Sequence, residues 1–364
     1  MRAVMEYAIA EIIRAEEREG HIAMVDTNKN QGDPVRWGVL STAKIGVRAA
    51  LPAIAEATNA RLVAVASRDM ARAQALATDY PGARALGSYE ALLDDGEVEA
   101  IYIPLPNSMH VEWAIRALEA GKHVLCEKPL GVTSDEVRRI RTASERTGRL
   151  VMEAFMYSFH PQIRWTLEQL AAGRIGAVRL VRSAFVFDLH SRPNDIRLQG
   201  ALGGGSLMDV GCYPLSFCRV VFGGPPREIA ARVVVPPGSD VELAMGAALD
   251  FGDGRLGIID SSFMLPREFF AEVVGERGRI FLPGPYTPGR AETVVRVIVG
   301  DETVERHFTG IDQYMLEVES FSADIRRGAQ PFITLEDSLE QAESIERIYA
   351  AAGYTPPWLA ANAP

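Results

Sequence analysis

Cysteine is scarce in this chain. There are three in 364 residues, Cys126, Cys212 and Cys218. The number is odd and no Cys-x-x-Cys spacing occurs, which argues against a disulfide framework and against a structural zinc site. Each lies in an apolar segment and reads as a small buried thiol in a reducing compartment, so a cytoplasmic location is expected. His-Glu-x-x-His is absent and no His/Asp ligand set is clustered, so no metal is expected. Basic residues are outnumbered, 38 Lys and Arg against 48 Asp and Glu, for a formal net charge of −10. Such a surface repels the phosphates of nucleic acid, although it says little about small substrates held in a locally basic pocket. No apolar run reaches the roughly 18 residues of a membrane span, and the first residues lack the pattern of a secretory leader. Internal repeats and low-complexity blocks are also missing. What remains is an ordinary globular composition, 48% hydrophobic and 24% charged, on a chain too long for one core, so two domains are expected.

Residues 3–19 have the spacing of an amphipathic helix, with Val4, Met5, Ala8, Ile9, Ile12 and Ile13 on one side. A polar linker follows over 26–34. From Val35 apolar strands alternate with helices. Strands are expected at 36–40, 62–66, 101–104, 123–126 and 150–154, and helices at 45–57, 70–78, 110–120 and 134–147, with Pro52 interrupting or kinking the first of them. That alternation predicts a doubly wound parallel sheet with helices on both faces. The second half changes character. Helices are expected at 162–172, 313–326 and 335–352, and a glycine-opened, partly helical segment at 203–224. Strand patterns run at 178–189, 227–235, 242–251, 255–263, 268–275, 279–282, 293–299 and 303–308, several joined by glycine-containing turns. The fold class expected is therefore an N-terminal Rossmann domain plus an α+β domain built on a large, mostly antiparallel, open sheet. The boundaries are an arm over 1–34, a dinucleotide-binding domain over 35–156, a substrate-binding and oligomerisation domain over 157–355, and a tail over 356–364.

Three places carry chemistry: the ends of the first two strands, the turn after the fourth strand, and a glycine-rich segment over 203–214. The first strand runs into Gly38-Val39-Leu40-Ser41-Thr42-Ala43-Lys44-Ile45-Gly46. A dinucleotide fingerprint has glycine at 41 and 43 and glycine or alanine at 46; here Ser41 and Ala43 are small enough for backbone to approach a pyrophosphate at the following helix N-terminus. The second strand ends in Ser67-Arg68, a hydroxyl and a guanidinium suited to a ribose 2′-phosphate, where an NAD-binding unit often has an acid. This favours NADP over NAD; the competing reading has Arg68 solvated and Asp69 on the ribose. The fourth strand delivers Glu127-Lys128-Pro129 to the carboxyl edge of the sheet, where ligands bind. The third place is Gly203-Gly204-Gly205-Ser206-Leu207-Met208-Asp209-Val210-Gly211-Cys212-Tyr213-Pro214. Asp209 and Tyr213 share a helix face if the segment is helical, although Pro214 disfavours a helical Tyr213 and predicts a break near Gly211. Ser206 with Asp209 also has capping-box spacing, so a helix-cap role for Asp209 competes with a role in binding. Tyr213 reads equally as a core aromatic, and Lys128 as one half of a surface ion pair with Glu127. His160 reads as structural.

Ile103-Pro104-Leu105-Pro106-Asn107-Ser108-Met109-His110, followed by Glu127-Lys128-Pro129, resembles the Gfo/Idh/MocA family of oxidoreductases, and the likeness extends over about residues 35–355. Trp37 to Gly46 and Glu153-Ala154-Phe155-Met156-Tyr157 resemble the branch with D-xylose dehydrogenases, dihydrodiol dehydrogenases and nucleotide-sugar ketoreductases. The resemblance implies hydride transfer between a nicotinamide and a sugar, polyol or cyclic diol. It places Lys128 and Tyr213 at the reacting hydroxyl and Asp209 on the sugar. It places Ser41, Thr42, Ala43, Ile45, Ser67, Arg68, Leu105, Pro106, Asn107, His110, Glu127 and Lys128 around the cofactor, with Arg197 gripping cofactor or substrate unless it is a solvated loop residue. The chemistry is consistent: a lysine cation near a tyrosine favours the phenolate, which makes the phenol a usable base, or an acid in reverse. Substrate is expected in the cleft between domains, and the open sheet implies a homodimer or homotetramer. Two other functions fit the same residues. One is an aldose–aldose oxidoreductase that keeps NADP bound; the other is a non-catalytic nucleotide sensor, against which the retention of both Lys128 and Tyr213 argues.

Overall fold

The computed structural model describes residues 33–360; the helix expected over 3–19 and nearly all of the arm lie outside them. The described chain forms two compact units. One comprises the residues up to Met156 together with Asp312–Leu339, and the other comprises Tyr157–Ile311 together with the chain from Glu340 onward.

The first unit is a six-stranded parallel sheet of β1 (Val35–Leu40), β2 (Ala60–Ala66), β3 (Arg84–Leu86), β4 (Ala100–Ile103), β5 (His123–Glu127) and β6 (Val151–Ala154), in the order β3-β2-β1-β4-β5-β6. That is the strand order of a doubly wound dinucleotide-binding sheet, and its switch point lies between β1 and β4. The central strands are apolar on both faces because helices cover both: Trp37, Val39, Ile101 and Ile103 are wholly buried. The helices are α1 (Leu51–Glu56), α2 (Met70–Thr78), α3 (Tyr89–Leu93), α4 (His110–Glu119) and α5 (Ser134–Thr147). Edge strand β3 and helix α3 went unforeseen, being short and lacking a clear period. Pro52 acts as expected, by a specific route. A π-helical turn at Gly46–Ala50 precedes α1, and the Leu51 N–H reaches back to the Gly46 carbonyl. The widened turn lets Pro52, which has no amide to donate, sit in the first turn of α1.

Helix α8 (Gln313–Arg327), distant in sequence, completes this unit; its number follows two helices of the second unit, α6 (Pro161–Ala171) and α7 (Cys212–Phe222). The Trp37 indole N–H donates to the Ser322 hydroxyl at 3.0 Å, both residues wholly buried. Glu319 accepts from the Thr58 amide at 2.9 Å, and Arg326 forks onto Glu99 at 3.0 and 2.8 Å.

The second unit is an eight-stranded sheet of β7 (Val178–Asp188), β8 (Glu228–Val234), β9 (Ala244–Gly252), β10 (Arg255–Ser262), β11 (Met264–Gly275), β12 (Gly278–Leu282), β13 (Thr293–Val299) and β14 (Glu302–Phe308), in the order β14-β13-β12-β11-β7-β10-β9-β8. Only the β7–β10 pair is parallel. β9 alternates buried and open positions, as a half-covered antiparallel strand should. Helix α7 packs on one face, and Gly211 at its start allows close approach, since a Cβ there would lie 2.8 Å from the Ser261 hydroxyl. On β10, Leu256 and Ile258 are each 39% exposed. Helix α9 (Leu335–Ala351) and α10 (Pro357–Ala360) follow, the latter burying Trp358.

Replacing Ser322 with alanine would strand the buried Trp37 N–H. The expected loss is about 1–3 kcal/mol, read as a lower urea midpoint with an unchanged slope; an unchanged midpoint would contradict the assignment.

Candidate active site

The turn after β1 keeps a glycine-like backbone although it lacks the fingerprint glycines. Ser41 holds φ at 120°, a conformation that glycine adopts freely and serine does not. Two hydrogen bonds keep it there. Its amide donates to the Ala66 carbonyl at 3.0 Å, and its hydroxyl accepts from the Ala43 amide at 3.0 Å. Gly46 supplies the close packing of helix on sheet: a Cβ there would lie 3.2 Å from Pro104. Thr42 and Ala43 are half-buried, and Ile45 is 36% exposed, an apolar surface at the mouth of the turn. A dinucleotide fits this geometry. At the end of β2 the Ser67 hydroxyl accepts from the Asp69 amide at 3.1 Å. The Asp69 carboxylate caps α2, accepting from the Ala71 amide at 3.0 Å. Its commitment to the helix turns against a ribose role for Asp69. Arg68 is exposed. Arg72, which the sequence reading missed, donates to the Thr42 carbonyl at 3.4 Å and so spans the two turns. The available signal was its spacing of one helical turn from Arg68.

The Pro-Asn loop and the lysine turn are tied together by His110. Its ring is wholly buried, with Nε2 2.8 Å from the Leu105 carbonyl and Nδ1 2.8 Å from the Pro129 carbonyl. Burial lowers its pKa, the two carbonyls pull the other way, and the Lys128 cation lowers it again. His110 opens α4, as expected, and its ring joins the two loops. Leu105 is buried, while Pro106 and Asn107 are half-buried, with Asn107 opening a short 3₁₀ turn that ends in α4. Glu127 accepts a hydrogen bond from the hydroxyl of buried Tyr102. Burial and the Glu127 charge push the Tyr102 phenol well above its ordinary value, so it stays a donor. Burial and the same charge push Glu317, on α8, well above the usual carboxylate range. Lys128 is half-buried at the end of β5, and its peptide bond to Pro129 is cis.

In the second unit, residues 203–207 form a strap into a π-helical turn, Leu207–Gly211, that continues as α7. The break expected near Gly211 is this change of helical type, which admits Pro214 within the first turn of α7. Ser206 does not cap the segment; its hydroxyl pairs with that of Ser261 at 3.1 Å. Asp209 is therefore no part of a capping box. Instead Arg197 Nε donates to its Oδ2 at 2.6 Å, and Arg197 Nη1 donates to Asp195 at 3.1 Å. The Asp209 charge beside it raises the Arg197 pKa further, so the cation is permanent. The Arg197 side chain is 38% exposed against 16% for Asp209, a held pair rather than a solvated loop arginine. Tyr213 is 5% exposed, its ring 5.9 Å from Tyr157, 5.6 Å from Phe185 and 5.4 Å from Tyr286. Burial lifts Tyr157 to about 12 and Tyr286 well above its ordinary value, so both neighbours stay protonated at neutral pH. His160 is structural: its Nδ1 accepts from the Gln162 amide at 3.2 Å as the cap of α6, and burial lowers its pKa to about 4. All three cysteines are buried free thiols.

Comparison with known proteins gives these geometries a context. Residues 35–155 match the family model described as an oxidoreductase family with an NAD-binding Rossmann fold, and residues 163–281 match the GFO/IDH/MocA C-terminal domain. A D-xylose 1-dehydrogenase (NADP(+)) from Haloferax volcanii is 38% identical over 317 residues, 87% of this chain and 97% of that protein.

The chain belongs to the Gfo/Idh/MocA family.

It is an NAD(P)-dependent oxidoreductase with a Rossmann domain. Among solved structures, the 3-ketoreductase KijD10 from Actinomadura kijaniata, in complex with NADP and TDP-benzene, superposes with a TM-score of 0.83 at 31% identity, over 88% of this chain and 98% of that one. The aldose–aldose oxidoreductase from Caulobacter crescentus, complexed with glycerol, gives 0.82 at 26% identity over the same shares. Among the described residues no helix is long and apolar enough to cross a membrane, and no group of three or more His, Cys, Asp or Glu is arranged to hold a metal ion.

Proposed function

We propose that this enzyme uses NADP to oxidise a secondary alcohol or hemiacetal carbon of a sugar, polyol or cyclic diol, or to reduce the corresponding carbonyl. The observation that carries the reading is Lys128 at the carboxyl end of β5, in a turn that His110 joins to the Pro-Asn loop. The relative named as a D-xylose dehydrogenase supports a sugar as substrate. In the oxidative direction the substrate carbon gives up a hydride and its oxygen gives up a proton. A nicotinamide held beside Leu105, Pro106, Asn107 and Glu127 would supply the hydride acceptor. Tyr213 takes the proton, with the Lys128 cation beside the same oxygen favouring the phenolate. Asp209 accepts hydrogen bonds from a neighbouring sugar hydroxyl, and Arg197 holds that carboxylate in place. Ser41, Thr42, Ala43 and Ile45 face the pyrophosphate side of the cofactor. Leu105, Pro106, Asn107 and Glu127 face the nicotinamide side.

Arg68 and Arg72 bind the 2′-phosphate, with Ser67 beside them. The KijD10 complex with NADP supports that choice of cofactor. A second reading, transfer between two aldoses on a nucleotide that never leaves, is favoured by the Caulobacter crescentus neighbour. NADP recovered from protein purified without added nucleotide would select it.

The exposed apolar residues Leu256, Ile258 and Val234 on the open sheet are proposed to be covered by a second copy of the chain in a homodimer or homotetramer. The buried thiols support a reducing, cytoplasmic location. A monomeric mass by sedimentation at micromolar concentration would contradict the first proposal, and recovery in an extracytoplasmic fraction the second.

The direct test is nicotinamide absorbance across D-xylose, other aldoses, inositols and cyclic diols, with NADP and NAD in parallel. Turnover should favour NADP. Arg68→Ala and Arg72→Ala should each raise KM for NADP by about 10- to 100-fold, the worth of a charged hydrogen bond, and leave KM for NAD alone. Equal effects on both nucleotides would overturn the 2′-phosphate assignment.

A further inference from the structure

Glu242 is a buried acid that no step above uses. It lies just before β9 and is 0% exposed. Its backbone carbonyl accepts from the Ser206 amide at 3.1 Å. Its Oε1 accepts twice, from the Leu207 amide at 2.9 Å and from the Tyr349 hydroxyl at 3.0 Å. Its Oε2 has no hydrogen-bond partner. The carboxyl group lies against Gly205, where a Cβ would stand 2.6 Å from each oxygen. Gly205 also holds φ at 125°, so glycine is required there on two counts. One step earlier, the Trp358 indole N–H donates to the Gly204 carbonyl at 3.3 Å. Glu242 therefore grips two successive amides of the strap at the point where it becomes the helical segment bearing Asp209 and Tyr213.

We propose that Glu242 is a positioning residue for Asp209 and Tyr213. Its main-chain and side-chain oxygens fix the Ser206 and Leu207 amides, and so set the start and the rotation of the π-helical turn that carries Asp209 and runs on into α7, which carries Tyr213. The proposal rests on the catalytic reading of those two residues given above. A grip on the first turn is an effective place to act, because a small rotation there moves every later side chain on the helix.

The same geometry makes the grip readable by pH. Burial lifts the Glu242 carboxyl to about 7, with the Leu207 and Tyr349 bonds pulling it back. The titratable groups that face it are Tyr349 and Tyr354, with Cys212 beyond the first and Asp240 beyond the second. Burial raises both phenols, Tyr354 to about 12 and Tyr349 well above its ordinary value, so neither titrates near neutrality. Ionising Glu242 leaves a bare charged oxygen in the interior, whereas the neutral acid leaves only a hydroxyl there. Its pKa is raised in the folded state, so its contribution to stability is complete below about 4.5 and is lost as pH rises through about 7.

The test uses the full chain loaded with NADP and compares Glu242→Ala, Glu242→Gln and Tyr349→Phe. In Glu242→Ala the Leu207 amide, which loses its acceptor, should exchange with solvent at least about tenfold faster, and kcat with D-xylose should fall by about 10- to 100-fold with NADP affinity unchanged. Glu242→Gln, which keeps an acceptor for both donors, should recover most of each loss. The wild type should show the infrared band of a buried protonated carboxyl that fades as pH rises through about 7. That band should be absent in Glu242→Gln and should fade at higher pH in Tyr349→Phe, where one bond to the ionised form is gone. Unchanged exchange and kcat in Glu242→Ala, while Tyr213→Phe abolishes turnover, would overturn the positioning role and leave the catalytic reading standing. Unchanged turnover in Tyr213→Phe would sink the catalytic reading itself. If D-xylose is not turned over by the wild type, the exchange and infrared results alone decide the role of Glu242. If Glu242→Ala does not fold, a Tyr349→Phe band that fails to move would overturn the proposal.

Discussion

The structure depends on buried polar side chains that hold loops at the ends of strands. The His110 ring is the leading case. Sandwiched between the Leu105 and Pro129 carbonyls, it joins the Pro-Asn loop to the turn that carries Lys128, two segments that share no strand pairing of their own. A loop has few apolar contacts with which to fix its shape, so its geometry has to come from hydrogen bonds made where water does not compete. Tyr102 does the same for Glu127, and Ser41, held in a glycine-like conformation by two hydrogen bonds, does it for the nucleotide turn. In the second unit, Arg197 holds Asp209, and Glu242 and Trp358 hold the strap that leads to it.

These supports divide the chemistry in a sensible way. The groups assigned to the reaction, Lys128, Tyr213 and Asp209, each sit at the end of a strand or in the first turns of a helix. Each is backed by a residue that does not itself react. Among the described residues, π-helical turns occur at Gly46–Ala50 and Leu207–Gly211. One follows the nucleotide turn and the other contains Asp209. Such turns are costly to form and concentrate at functional sites. Here each also solves a local problem, the missing amide of Pro52 in one case and of Pro214 in the other.

Much of this was legible in the sequence. Alternating strands and helices gave the parallel sheet, and tight glycine turns between apolar runs gave the antiparallel one, because burial on two faces or on one face leaves different periods. Gly211 and Pro52 marked real irregularities. The supporting residues were harder to see. Arg72 sits one helical turn beyond Arg68, and Glu242 is a lone acid within an apolar run, yet neither spacing names a partner far along the chain. The docking of α8 beside β1 was equally hidden. Its helical period is plain, but the Trp37–Ser322 bond spans 285 positions. Asp209 had a cap-like neighbour in Ser206, and only the structure shows that hydroxyl turned to Ser261 instead.

The central claim is that Lys128 and Tyr213 act on one oxygen of one substrate. A double-mutant cycle on the rate of nicotinamide reduction in a single turnover tests it most directly. With Lys128→Met, Tyr213→Phe and the pair combined, the account predicts that each single change slows the step by about 100-fold or more and that the double variant is little worse than the poorer single one, as for groups that work as a unit. Losses that multiply in full, or a Tyr213→Phe enzyme that transfers hydride at the wild-type rate, would contradict it.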